Sequence, residues 1–145
     1  MVFSSPRFEY PGGTRFRCLK CGICCCDAPA RERRILLTTL EAEAISERLG
    51  TSPTEFTNHI EPVSVFSLSM KKAEGRCIFI RENLCTIYGL RPLICRFYPF
   101  RLDSLGLGVY AFQGTKECPG LGRGPRLSQR HFEKLFQMFL LCTGA

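Results

Sequence analysis

Five of the ten cysteines in this 145-residue chain fall within nine positions, Cys18-Leu-Lys-Cys21-Gly-Ile-Cys24-Cys25-Cys26. The run has neither the roughly 3.6-residue period of an amphipathic helix nor the alternation of a strand, so it reads as a loop wrapped round something. Met1 to Tyr10 lacks the basic stretch and apolar run of an export signal. No segment reaches the roughly 18 consecutive apolar residues of a membrane span. The expected setting is cytoplasmic, with no membrane partner. A reducing compartment keeps thiols free unless a metal or a reaction claims them, which disfavours a disulfide framework. Metal ions are therefore the expected partner of the cysteines.

Spacing refines this. Cys18-x2-Cys21-x2-Cys24 lets a tight loop aim three sulfurs at one centre, as in the opening of a bacterial ferredoxin cluster loop. In that loop a distant cysteine followed by proline belongs to the arrangement, and Cys118-Pro119 is the candidate here. Cys77, Cys85 and Cys95 are too far apart for one C-x2-C knuckle and must be gathered by the fold. Adding Cys25 or Cys24 completes a second four-sulfur set. One partition is Cys18, Cys21, Cys24 and Cys118 against Cys25, Cys77, Cys85 and Cys95, with one centre or two left open. Paired knuckles usually announce zinc, and only one knuckle-like cluster is present. A crowded C-x2-C-x2-C-C suits a polynuclear centre better. The expected cofactor is an iron–sulfur cluster, a 4Fe-4S centre first, with zinc as the alternative because thiolates alone do not separate the two metals.

The formal charge of +7 counts every thiol as neutral. Each four-thiolate site carries about −2 net when loaded, so part of the basic excess would balance metal. Arg91 and Arg96 flank Cys95 and would offset cluster charge, or else cap local backbone. Tyr88, Tyr98 and Phe100 are expected to pack round the centre and limit water. Arg31, Arg33 and Arg34, and Arg123, Arg126 and Arg130, read equally as a patch for RNA or an acidic partner and as solvated surface. They lack interleaved aromatics, so nucleic acid is not an expected partner. His59 and His131 fall on expected helices away from the cysteines. No Walker loop, dinucleotide fingerprint or Ser/His/Asp series is present, so hydrolase and nucleotide-binding classes gain no support.

An apolar content of 45% and twelve phenylalanines argue for a folded chain, and the length suits a single domain over 1–145. Ile35-Leu36-Leu37 is expected as a short strand. Thr38 and Glu41 form a capping box for a helix over 39–49, closed by Gly50. Ser52, Pro53 and Glu55 repeat that logic for a helix to about His59. Extended segments are expected at Val63, Val65 and Phe66, at Cys77 to Ile80 before a turn at Arg81-Glu-Asn83, and at Leu105 to Phe112. A helical turn is expected between Leu84 and Pro92. Positions 114–125 read as a Gly/Pro loop. Ser128 caps a last helix over about 129–141, with Phe132, Leu135, Phe136, Phe139 and Leu140 as a core stripe. The class is α+β, with short helices, a few strands and irregular cysteine-rich loops round one or two metal sites.

Cys18-x2-Cys21-x2-Cys24-Cys25, then Cys77, then Cys85-x-Ile-Tyr-x2-Arg-Pro-x2-Cys95-Arg-x-Tyr-Pro-Phe, then Cys118, resembles the C-x2-C-x2-C-C cysteine-cluster family. The resemblance runs over 18–118 and leaves Cys26 and Cys142 outside its eight cysteines. It implies a zinc- or iron-chelating domain, often labelled an iron–sulfur protein, with a relative in flagellin lysine N-methylases. Three readings follow. The first is an iron–sulfur redox or electron-transfer protein with a redox partner protein. The second is a zinc-stabilised module binding protein or RNA. The third is an accessory or catalytic part in lysine methylation, although no S-adenosylmethionine-binding loop is recognisable. Whether the protein is an enzyme, and its oligomeric state, stay open.

Overall fold

The capping box at Thr38 forms in the computed structural model. The Thr38 hydroxyl accepts the Glu41 N–H at 3.1 Å, and the Glu41 carboxylate accepts the Thr38 N–H at 3.0 Å. Gly50 closes the same helix in the left-handed region, φ 68°, which glycine enters without a Cβ penalty. Residues 5–29 and 31–143 are described. Along them run β1 (Arg7–Glu9), β2 (Arg15–Phe16), β3 (Leu36–Leu37), α1 (Thr39–Leu49), β4 (Thr57–Val63), β5 (Phe66–Met70), β6 (Lys72–Ala73) and β7 (Arg76–Cys77). There follow β8 (Ile80–Arg81), β9 (Leu84–Cys85), α2 (Leu93–Phe97), β10 (Phe100–Gly106), β11 (Val109–Gly114), β12 (Leu121–Arg126) and α3 (Gln129–Thr143). This mixture is the expected α+β class. The chain divides into two compact units, Lys20–Arg96, and Met1–Leu19 with Phe97–Ala145.

In Lys20–Arg96, β3, β5 and β4 form an antiparallel sheet with β5 central, followed by the short hairpins β6–β7 and β8–β9. Ile35, Leu37, Ala42, Ile45, Phe56, Leu68, Met70 and Ile87 are buried together with Cys25 and Cys77. Glu41 joins two helix starts: besides capping α1, its second carboxylate oxygen accepts the Leu93 N–H at the start of α2, which carries Cys95. Glu41→Ala frees both N-termini and is expected to cost about 1–2 kcal/mol, whereas Glu41→Gln keeps most of the capping. Urea denaturation of the full chain checks this, and equal midpoints for the two variants would contradict it.

The second expected helix is corrected. Only a single 3-10 turn forms at Pro53–Glu55, without a Ser52 side-chain cap, and Thr57–Val63 is strand. Thr57, Asn58 and His59 pair with Met70, Ser69 and Leu68, so sheet pairing overrides the local helix signal and His59 sits exposed on a strand. Ser64 and Val65 form the turn between β4 and β5 rather than extended chain, with Ser64 at φ 57°. The Cys77–Ile80 segment likewise breaks at a turn over 78–79. The helical turn before Pro92 is a 3-10 turn at Tyr88–Leu90.

In the other unit, β11 is central, parallel to β1 and antiparallel to β10. The single strand expected over Leu105 to Phe112 is instead this hairpin, turned at Gly106, Leu107 and Gly108, all at positive φ. The α3 stripe is core: Phe132, Leu135 and Phe136 are buried. Phe132 meets Phe100 and Phe112 with ring centroids 5.1 and 5.2 Å apart, and Phe136 meets Phe8 at 4.9 Å. The expected loop over 114–125 contains β12, which pairs with β2 through Leu121–Phe16 and Arg126–Arg15. Gly120 permits this, since a Cβ there would stand 2.0 Å from the Arg17 carbonyl oxygen.

Candidate metal centre

The cysteine run enters the fold through Gly22 at φ 78°, where a Cβ would meet the Asn83 amide oxygen at 2.8 Å. A 3-10 turn follows at Ile23–Cys25, closed by the Cys25 N–H to the Gly22 carbonyl at 3.0 Å and the Cys26 N–H to the Ile23 carbonyl at 3.2 Å. Cys24 and Cys25 stand on that turn, Cys77 on β7, Cys85 on β9 and Cys95 on α2. Cys25 and Cys77 are buried in the apolar cluster of Lys20–Arg96, and Cys24, Cys85 and Cys95 pack against it. Segments up to 71 positions apart thus bring five thiols to one core.

These thiols sense one another. The Cys24 and Cys25 sulfurs are 3.9 Å apart, and Cys25 also shares a hydrogen bond with Cys77. Hydrogen bonding with Cys25 pulls the Cys24 and Cys77 thiols below their ordinary range and pushes Cys25 upward. Burial pushes Cys95 up to about 12 and raises Cys85. Arg33 works the other way on Cys24, Cys77 and Cys95, and Arg91 on Cys24 and Cys85. Loading metal must therefore displace protons from Cys25, Cys85 and Cys95.

Among the described residues, no three His, Cys, Asp or Glu side chains are arranged to hold one metal ion as they stand. The donor set nevertheless suits a thiolate-bound metal, because five sulfurs share one apolar core and at least one pair is already close. Closure round an ion would need side-chain rotation.

Cys18 and Cys21 are exposed and Cys26 is half-buried. Cys18 and Cys118 belong to the other unit, where the Arg17 N–H donates to the Gly120 carbonyl at 3.1 Å, bringing both to the same end of the β2–β12 ribbon. Tyr98 also belongs there, its hydroxyl 3.1 Å from the Glu117 carboxylate, and Phe100 is in the aromatic core. Tyr88 is 60% exposed with the Arg91 guanidinium 3.7 Å over its ring. Arg91 and Arg96 bond backbone, Arg91 to the Tyr88 carbonyl at 2.9 Å and Arg96 to the Arg91 and Gly89 carbonyls at 3.0 and 2.9 Å. His131 is half-buried on α3 and Cys142 lies near its end.

Arg31 and Arg33, expected at the surface, are half-buried instead. Arg31 Nη2 donates to the Ile23 and Cys26 carbonyls at 3.3 and 3.1 Å, and Arg33 Nε to the Cys24 carbonyl at 2.8 Å. Their alternation with exposed Glu32 and Arg34, straight after the cysteines, was the available signal.

Residues 17–121 match the family model described as "Putative zinc- or iron-chelating domain", the CxxCxxCC family. The Methanocaldococcus jannaschii protein printed as "Uncharacterized protein MJ0661" is 32% identical over 142 residues, covering 93% of this chain and 74% of that protein. No solved structure matches the chain, and no helix among the described residues is long and apolar enough to cross a membrane. With five of its motif cysteines converging from distant segments on one core, the chain belongs to the CxxCxxCC family of zinc- or iron-chelating domains and is a metal-binding protein.

Proposed function

We propose that the cysteines of Lys20–Arg96 hold an iron–sulfur cluster and that the protein serves a redox, electron-transfer role. The observation that carries this is the gathering of five thiols in one apolar core; four suffice for a cluster as for zinc, and the crowded C-x2-C-x2-C-C spacing favours the cluster. Cys25, Cys77, Cys85 and Cys95 would hold the group, with Cys24 beside them. Cys18, Cys21 and Cys118 remain candidate donors on the family motif alone. Such a cluster supplies one-electron oxidation and reduction when bound. The surrounding residues would limit water and stabilise thiolate charge: Ile78, Phe79, Ile80 and Leu90 pack against the same core as the thiols, and the Arg33 and Arg91 charges act on the thiols.

Zinc is the second reading, favoured by the 3.9 Å between the Cys24 and Cys25 sulfurs. Two thiolates on one tetrahedral zinc, with Zn–S of about 2.3 Å, stand about 3.8 Å apart. Thiolates on separate irons of one cluster stand farther apart. Metal and acid-labile sulfide analysis on protein purified without oxygen decides between the readings. Iron with matching sulfide and a visible band bleached by dithionite supports the cluster; colourless protein with zinc and no sulfide replaces it with a structural module.

A further inference from the structure

Resting on the metal-centre reading above, we propose that Arg33 is the positioning residue of the thiol cluster, holding the cysteine turn in place and providing fixed positive charge against its thiolates. The turn at Ile23–Cys25 is only three residues long and has no side-chain cap. Guanidinium groups bond two of its carbonyls and that of the residue after it, Ile23 and Cys26 from Arg31 and Cys24 from Arg33 at 2.8 Å. Fixing the Cys24 carbonyl fixes the peptide plane between Cys24 and Cys25, the pair with the 3.9 Å sulfur contact.

Arg33 is itself braced. Its backbone N–H donates to the Asp27 carboxylate at 2.6 Å, that carboxylate is held by Lys72 at 2.9 and 3.1 Å, and the Asp27 N–H bonds the Gly75 carbonyl at 2.7 Å. Gly75 precedes β7, whose Cys77 belongs to the cluster, so one polar chain ties the cysteine turn, Arg33 and the β6–β7 hairpin together. Thiolates gathered in an apolar core repel one another and lose hydration, and a nearby guanidinium offsets both costs.

The test compares Arg33→Gln and Arg33→Lys with wild type, all full-length and purified without oxygen. The readouts are metal content, competition against a chromophoric chelator and, if iron is bound, midpoint potential. Arg33→Gln is expected to hold metal about 10–100-fold more weakly and to lower the midpoint potential. Arg33→Lys, which keeps the charge and a donor, is expected to recover most of the affinity and hold the potential, a rescue that a merely space-filling role would not give. Wild-type affinity in Arg33→Gln, or Arg33→Lys no better than Arg33→Gln, overturns the proposal. Should Arg33→Gln fail to fold, a folded Arg33→Lys that keeps metal supports it and one that loses metal contradicts it. Wild type without metal overturns the metal-centre reading itself, and this inference with it.

Discussion

Stripping metal from the loaded protein is expected to unfold the Lys20–Arg96 unit. Cys25 and Cys77 are among the ten buried residues of its core, and Cys24, Cys85 and Cys95 are among the seven packed against them. Between Lys72 and Cys85 the chain has four two-residue strands in two separate hairpins, of which β6–β7 is bridged to the cysteine turn at Cys26–Arg76, and hairpins that short do not hold together in water by themselves. A thiolate-bound metal would cross-link β7, β9 and α2 to the cysteine turn. Structural zinc supplies an apparent binding free energy of about 10–16 kcal/mol, comparable to the whole stability of a domain at about 5–15 kcal/mol. Hydrogen exchange on the full chain before and after chelation checks this. Amides over 76–95 should lose protection first, while α3, held by Phe132 and Phe136 in its own aromatic core, keeps it. Unchanged exchange and an unchanged Tm in a verified metal-free sample would contradict it.

Replacing one core cysteine is expected to empty the site while replacing Cys142 leaves it loaded. Cys77 is 5% exposed and hydrogen-bonded to Cys25, so Cys77→Ser removes a soft thiolate donor and leaves a poorer ligand in an apolar setting. Bound metal per chain, measured by mass spectrometry of acid-digested protein, should fall at least tenfold. Cys142→Ser, near the end of α3, should match wild type. Equal loading of the two variants would move the centre away from the Lys20–Arg96 core.

How far the residues alone led depends on how local each signal is. The Thr38–Glu41 box and the Ser128-started α3 with its aromatic stripe were readable because cap and period act within a few residues. The same capping pattern at Ser52 misled, because the next residues pair with β5, and a ladder made across a chain reversal leaves no mark at Pro53 or Glu55. β12 was hidden by Gly122, Gly124 and Pro125, residues a strand tolerates here because among the described residues it pairs with two-residue β2 alone, with an irregular register between them. For the site, the C-x2-C-x2-C-C spacing marked the right segment. Cys95 is carried to Cys25 and Cys77 on α2, whose start Glu41 anchors through a contact 52 positions apart in sequence. Arg33 was missed for a related reason: charge runs usually face water, and its bond to the half-buried Cys24 carbonyl is made only in the fold.

X-ray absorption on the metal bound by the full-length protein tests the central claim most directly, because it counts the atoms that touch the ion. The expected result is a first shell of sulfur at about 2.3 Å, with short metal–metal scattering added if the centre is polynuclear. A first shell of nitrogen and oxygen at about 2.0–2.2 Å would contradict a centre built from these cysteines.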